Sequence, residues 1–381
     1  MKKKILALIT CAVLALTTLT GCGKTVESGK TPAKGENTAT EKLPELTIAW
    51  GNELHTGILN VLGPKAEDFK KQGVYLNPLS DDKYELIENG KKLAIMNYIP
   101  TKGGSETANM LSQKNLDYGL CSSTAIMSAV DNGAAVKLIT PFQSNGIALV
   151  FPPKSNLKSW EDVKKYIVES KTPVKIGYHS PVSAPRIVME AVLKNEGIKV
   201  TEDPSDSTAQ VILVDLKGSS NLLPSLASKQ VDAWVGPSHH PEAAEDKGVG
   251  EIAITLKNFP PVGSWDDFPC CSLGARTEVV EKNPEATKAL IKLLGNLGHY
   301  ADEHKDEVAK ILSQKIGVSE NAINKCEIKY FTTPSEKWYN GINVYVKALN
   351  EMGKFSGELK GKSFDEVKEK AFDFSCLEQS K

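Results

Sequence analysis

Four short turns in this sequence carry residue types able to grip a small polar molecule. They are Trp50-Gly51-Asn52-Glu53-Leu54-His55, Ser122-Ser123-Thr124, Tyr178-His179-Ser180-Pro181-Val182-Ser183, and the run from Trp234 through Gly236-Pro237 to Ser238-His239-His240. Hydroxyls and imidazoles supply hydrogen-bond donors, and small residues let the backbone come close. Trp50, Tyr178 and Trp234 offer flat rings for stacking. Each serine or threonine also has a plainer role as a helix N-cap, and each tryptophan one as a core residue. The candidate contacts, taken as a set, are Trp50, Asn52, His55, Ser122, Ser123, Thr124, Tyr178, His179, Ser180, Ser183, Trp234, Ser238 and His239.

The histidines invite a metal reading, since His55, His179, His239 and His240 could converge. Adjacent histidines point different ways on most backbones, and no carboxylate stands at a recognisable ligand spacing. The expectation is therefore hydrogen-bonding histidines, with no metal and no cofactor. Cys270-Cys271 with a histidine would make a nucleophilic pair, against the plainer reading of two buried thiols on a strand. Cys121, at a strand end, is expected to pack. Whether Cys326 and Cys376 pair is left open by the sequence.

These turns need a scaffold, and the chain repeats one rhythm: a short apolar strand, a small-residue turn, an amphipathic helix. Strands read at 46–50, 93–98, 117–120, 136–140, 147–151, 174–177, 211–214, 231–235 and 251–256. Helical spacing follows at 56–71, 105–114, 124–131, 184–195 and 241–246, and the chain is mostly helical beyond Pro284. Strands alternating with helices imply mainly parallel sheets covered on both faces. Ligands of such sheets sit beyond the carboxyl ends of the strands, where the N–H groups opening the next helices favour anions and polar acceptors. The candidate turns occupy those positions.

The chain opens Met1-Lys2-Lys3-Lys4 and continues into an apolar run over 5–19. That charge order marks a secretory signal peptide, and the run is shorter than the roughly 20 residues of a spanning helix. Leu19-Thr20-Gly21-Cys22 resembles the lipobox of bacterial lipoproteins, which implies a signal peptide over 1–21, cleavage before Cys22 and lipid on its thiol. Residues 22–43 lack large apolar side chains and read as a flexible tether. The expected location is the outer face of a bacterial cytoplasmic membrane. Net charge is −1 with no long basic block, which excludes a nucleic-acid partner.

Four stretches resemble the type II periplasmic solute-binding proteins, and within them the nitrate, sulfonate, taurine and thiamine-precursor branch of importer receptors. They are 116–124 with 132–137, 175–177 with 193–198, Gln230-Val231-Asp232-Ala233-Trp234, and Ser272-Leu273-Gly274-Ala275-Arg276 leading to Glu281-Lys282-Asn283-Pro284-Glu285. Phe268-Pro269-Cys270-Cys271 departs from the pattern. The resemblance implies an α/β fold of two lobes, each a mainly parallel sheet flanked by helices, joined by two crossings near 142–150 and 260–273. Lobe 1 would comprise 44–145 with 256–381, and lobe 2 would comprise 146–255. It further implies a monomeric, non-enzymatic receptor that captures a small solute between the lobes and delivers it to an ABC permease. The solute would be a sulfonate- or nitrate-like anion or a thiamine-precursor-like heterocycle; no arginine in the turns weakens the anion case. An enzyme like thiamine-pyrimidine synthase and a ligand-sensing surface lipoprotein are the alternatives.

Overall fold

The computed structural model describes residues 42–377. The signal segment, Cys22 and nearly all of the tether lie outside the described residues. No helix among those described is long and apolar enough to cross a membrane.

In chain order the strands are β1 (Glu45–Trp50), β2 (Val74–Pro78), β3 (Lys83–Glu88), β4 (Lys91–Pro100), β5 (Tyr118–Ser122), β6 (Val136–Asn145), β7 (Ile147–Phe151), β8 (Val174–Tyr178), β9 (Val200–Thr201), β10 (Val211–Asp215), β11 (Ala233–Pro237), β12 (Glu251–Thr255), β13 (Pro269–Arg276) and β14 (Ile328–Tyr330). Among the described residues they form two sheets, ordered β14-β6-β13-β5-β1-β4-β3-β2 and β12-β7-β11-β8-β10-β9. Helices flank both, giving a two-lobed α/β molecule. The chain leaves the larger sheet at Gly146, between β6 and β7, and returns to it between β12 and β13.

The sheets are mixed, where the strand–helix rhythm pointed to mainly parallel ones. Parallel pairing is limited to β4-β1-β5 in the larger sheet and β11-β8-β10-β9 in the smaller. In the smaller sheet β7 runs antiparallel to β11 and β12, and in the larger one β14 runs antiparallel to β6; two features of the larger sheet account for the rest. Strands β2, β3 and β4 form an antiparallel meander, and β3 turns into β4 through Asn89-Gly90, both at positive φ (49° and 81°). That is the two-residue turn whose twist suits a hairpin. The crossing strands β6 and β13 also pair antiparallel, with each other and β13 with β5. The helix expected over 56–71 is broken instead into Leu54–Gly57, a 3₁₀ turn Ile58–Val61 and Ala66–Lys71.

Two helices bring their first turns to the seam between the lobes. Ser123–Asp131 is capped by Ser122, whose side chain accepts from the Ala125 N–H. Ala184–Asn195 carries Pro185 in its first turn, where a missing N–H costs nothing. It buries Ile187, Val188, Val192 and Leu193 against lobe 2. One continuous apolar core runs from Leu149, Ile176 and Val235 of lobe 2 to Trp338 and Tyr345 of the C-terminal helix Glu336–Glu351. A second lies under the larger sheet against the helix Pro284–Glu303. Buried Asp131 accepts from the N–H groups of Ser356, Gly357 and Leu359, and Tyr345 donates its hydroxyl to the Pro269 carbonyl at 2.7 Å. These bonds hold the C-terminal helices on lobe 1 and fix the start of β13.

Candidate functional site

A cavity of about 50 Å³ lies where the lobes meet, enclosed by Glu53, His55, Ser105, Ser122, Cys270 and Cys271 from one side and His179, Ser180 and Ser183 from the other. Hydrogen bonds cross the seam around it. Ser105 and Ser180 share a hydroxyl bond at 2.5 Å, Thr124 donates to the Val182 carbonyl at 2.6 Å, and Ser219 donates to Glu53 at 3.0 Å. The lobes therefore stand closed on one another. No arginine or lysine is among the residues lining the cavity.

The sequence-derived candidates divide into three groups. His55, Ser122, His179, Ser180 and Ser183 line the cavity. Ser123 and Thr124 lie just behind it, fully buried. The Ser123 hydroxyl bonds Ser272 Oγ at 2.7 Å and donates to the Cys270 carbonyl at 3.3 Å, so it supports the cavity wall without facing into it. The remaining six are placed elsewhere. Trp50 is buried and stacks on Tyr98 at 3.8 Å, and Asn52 is exposed. Tyr178 lies under the Arg186 guanidinium and donates its hydroxyl to Glu202. Trp234 is wholly enclosed in the lobe 2 core, because β11 is covered on both faces. Ser238 donates to Glu242 at 2.7 Å, and His239 packs its ring on His240 at 4.5 Å. Trp50 and Trp234 take the plainer role of core residues, finding neighbours beside the strand end before they found the cleft.

The structure also assembles a group that spacing concealed. His55 Nδ1 lies 3.2 Å from Cys270 Sγ and 4.0 Å from Cys271 Sγ, and the two sulfurs are 3.9 Å apart. Consecutive strand residues normally face opposite ways. Here the register of β13 against β6 shifts between Pro269 and Cys271 and again between Cys271 and Ser272. Such a bulge re-aims a side chain, and it turns both thiols to one side. His55 Nε2 meets the Gly146 carbonyl at 2.9 Å. A carbonyl only accepts, so Nε2 carries the hydrogen and Nδ1 faces the sulfurs. The expectation of no metal site rested on looking for histidine–carboxylate spacings. His55 and the thiols are some 215 positions apart in sequence, and only the fold joins them.

The charges are unusual for a closed cavity. Contact with the Cys271 thiol holds Cys270 down to about 5; burial opposes this, and the nearby His55 charge adds to it. Burial disfavours the charged form of His55, but the Cys270 thiolate and the Gly146 carbonyl outweigh it and raise the imidazole. Both shifts favour the charged forms of Cys270 and His55, and the Cys271 thiol donates to Cys270. Burial raises Glu53 despite its hydrogen bond from Ser219. Burial, then the His55 charge, pushes His179 down to about 4, and its Nδ1 has no hydrogen-bond partner. The arrangement offers soft sulfur, neutral imidazole and one carboxyl group. It can bind a small cation-like or hydrogen-bonding guest, or act as a nucleophile. Glu53, Ser105 and Ser219 were the contacts missed in sequence: Ser105 opens a helix after a long strand, and Ser219 belongs to a turn that reads as a helix start.

The fold is that of periplasmic binding proteins. It is similar to the alkanesulfonate-binding protein SsuA from Xanthomonas axonopodis pv. citri bound to MOPS, with a TM-score of 0.61 at 13% identity over 83% of this chain and 96% of that one. It is similar too to the periplasmic nitrate-binding protein NrtA from Synechocystis PCC 6803, with a TM-score of 0.65 at 13% identity over 88% and 87% of the two chains. A third similar structure is the ligand-binding component of an ABC-type import system from Staphylococcus aureus with zinc bound, at a TM-score of 0.65, 11% identity and 89% and 99% coverage. In sequence, an uncharacterised protein of Methanocaldococcus jannaschii is 26% identical over 151 residues, 39% of this chain and 95% of that protein. Residues 41–316 match the model of the NMT1-like family. The chain belongs to that family.

Proposed function

We propose that this chain is the solute-binding component of an ABC importer, lipid-anchored through Cys22 outside the cytoplasmic membrane, and that it hands a small solute to a membrane permease. One observation carries the reading: the cavity is built from both lobes, with hydrogen bonds from each closing over it. Lobe 1 is assigned 44–145 with 256–381, and lobe 2 is assigned 146–255. A guest touching both lobes stabilises the closed state over the open one, and that difference is what drives closure. Of the candidate residues, His55, Ser122, His179, Ser180 and Ser183 are assigned to the solute, joined by Glu53, Ser105, Cys270 and Cys271.

The Cys270–His55 pair specifically favours one second reading, an enzyme that uses the thiolate as nucleophile. Both readings are tested by native mass spectrometry of the full chain, released from membranes in detergent and never refolded. The receptor reading expects one small molecule per chain, lost in the Ser180→Ala, Ser105→Ala double variant and returned chemically unchanged. Recovery of a converted molecule, or of a covalent adduct on Cys270, supports the enzyme instead. A Cys22→Ala chain should leave the membrane or persist as uncleaved precursor; one that is cleaved yet stays membrane-bound would contradict the anchor.

A further inference from the structure

Resting on the receptor reading, we infer that the solute of this site is a thiophilic metal ion of the Cu(I) or Zn(II) type, held by His55 Nδ1 and the sulfurs of Cys270 and Cys271, in a cavity that His179 lines from the opposite side. The geometry carries the assignment. The three donors form a triangle with sides of 3.2, 3.9 and 4.0 Å. A point at its centre is about 2.2 Å from all three, between the ordinary metal–imidazole and metal–thiolate bond lengths of roughly 2.0 and 2.3 Å. Two sulfurs bound at that length to one tetrahedral or trigonal ion stand about 3.8 to 4.0 Å apart, as these do.

The surroundings agree with a ligand set. The His55 ring is oriented by its Nε2–H bond to the Gly146 carbonyl, the outer contact that fixes a metal-binding imidazole with its other nitrogen free to coordinate. The bulge in β13 brings two adjacent thiols to one face. The His179 ring nitrogen Nδ1 is buried without a partner in the wall of the same cavity. A ligand from lobe 2 would make the ion bind the closed state more tightly than the open one. The cavity of about 50 Å³ has room for an ion with a few waters. Donor type selects the metal. Binding releases the Cys271 thiol proton and any proton on His55 Nδ1 to solvent; the resulting two thiolates and imidazole suit Cu(I) and Zn(II), whereas magnesium and calcium require oxygen.

The test uses the full chain, anaerobic and reduced with a sulfur-free phosphine. Zn(II) alone, or Cu(I) alone, is titrated in competition with a chromophoric chelator, and X-ray absorption reads the bound ion's neighbours. We expect one ion per chain, with two sulfur neighbours at about 2.3 Å and one or two nitrogens at about 2.0 Å. The Cys270→Ser, Cys271→Ser double variant and His55→Gln should each bind at least about 100-fold more weakly, and His179→Gln about 10-fold. Unfolding midpoints identify a variant that fails to fold, and the sulfur count of the wild type stands independently of any variant. The assignment is overturned if the reduced wild type holds neither ion, if bound metal has no sulfur neighbour, or if a folded double variant binds as well. It is likewise overturned if the native mass carries a metal-free organic solute, an outcome that leaves the receptor reading intact. A chain that closes over nothing removes both.

Discussion

At the scale of single residues, the polar side chains near the cavity do two different jobs. Ser122, Ser180 and Ser183 line the cavity, while Ser123 holds Cys270 and Ser272 in place behind the wall. Ser123→Ala should therefore cost about 1 kcal/mol of folding stability, the worth of a buried neutral hydrogen bond, read from urea unfolding. Loss of solute affinity with no loss of stability would place Ser123 on the guest instead. Arg186 has a stronger structural role. Only 2% exposed, it bridges Glu190 at 2.6 Å and Glu202 at 2.7 Å. Arg186→Ala leaves the buried Glu190 carboxylate with only the partly exposed Lys194 as counter-charge and should cost about 3 kcal/mol, the low end for a broken buried pair. A urea midpoint within experimental error of wild type would contradict it. His55 and the serines were legible because they follow strands at the carboxyl end. Cys270 and Cys271 were legible only as buried thiols, since the bulge that aims them depends on how β13 pairs with β6. Trp50 and Trp234 show the limit of the same logic: position at a strand end does not say on which face the next layer packs.

At the scale of elements, the crossing at Gly146 links hinge and site. Gly146 has φ +67°, and a Cβ there would stand 2.7 Å from His55 Nε2 and 2.9 Å from Ile328. Its carbonyl also orients the His55 ring. Gly146→Ala should lower stability by about 1–3 kcal/mol through left-handed strain and weaken solute binding with it. Calorimetry showing full affinity in a folded variant would uncouple hinge from site. The strand–helix alternation made the α/β class readable, because apolar runs of four to six residues mark covered strands wherever they occur. Strand direction was not readable from it. The β2–β4 meander carried its signal in Asn89-Gly90, and β14, three residues long, is a strand only because β6 lies beside it. The helix expected over 56–71 gave way at Gly63-Pro64, where proline disfavours helix in the residue before it.

At the scale of the whole molecule, the proposed function rests on two lobes meeting over a small guest. The bonds Ser105–Ser180 and Ser219–Glu53 exist only when the seam is shut. Removing both with Ser105→Ala and Ser219→Ala should weaken the closed state by about 1 kcal/mol for each bond lost, raising Kd some 5- to 30-fold while the isolated lobes keep their stability. Unchanged affinity would mean the lobes close for reasons other than the guest. Small-angle scattering tests closure most directly. The full chain is dialysed free of its solute, and the solute released from a denatured aliquot is then added back. The predicted result is a smaller radius of gyration, a melting temperature that climbs with added solute, and solute recovered unaltered. Superimposable scattering curves at saturation, or a solute returned chemically changed, would contradict the receptor reading.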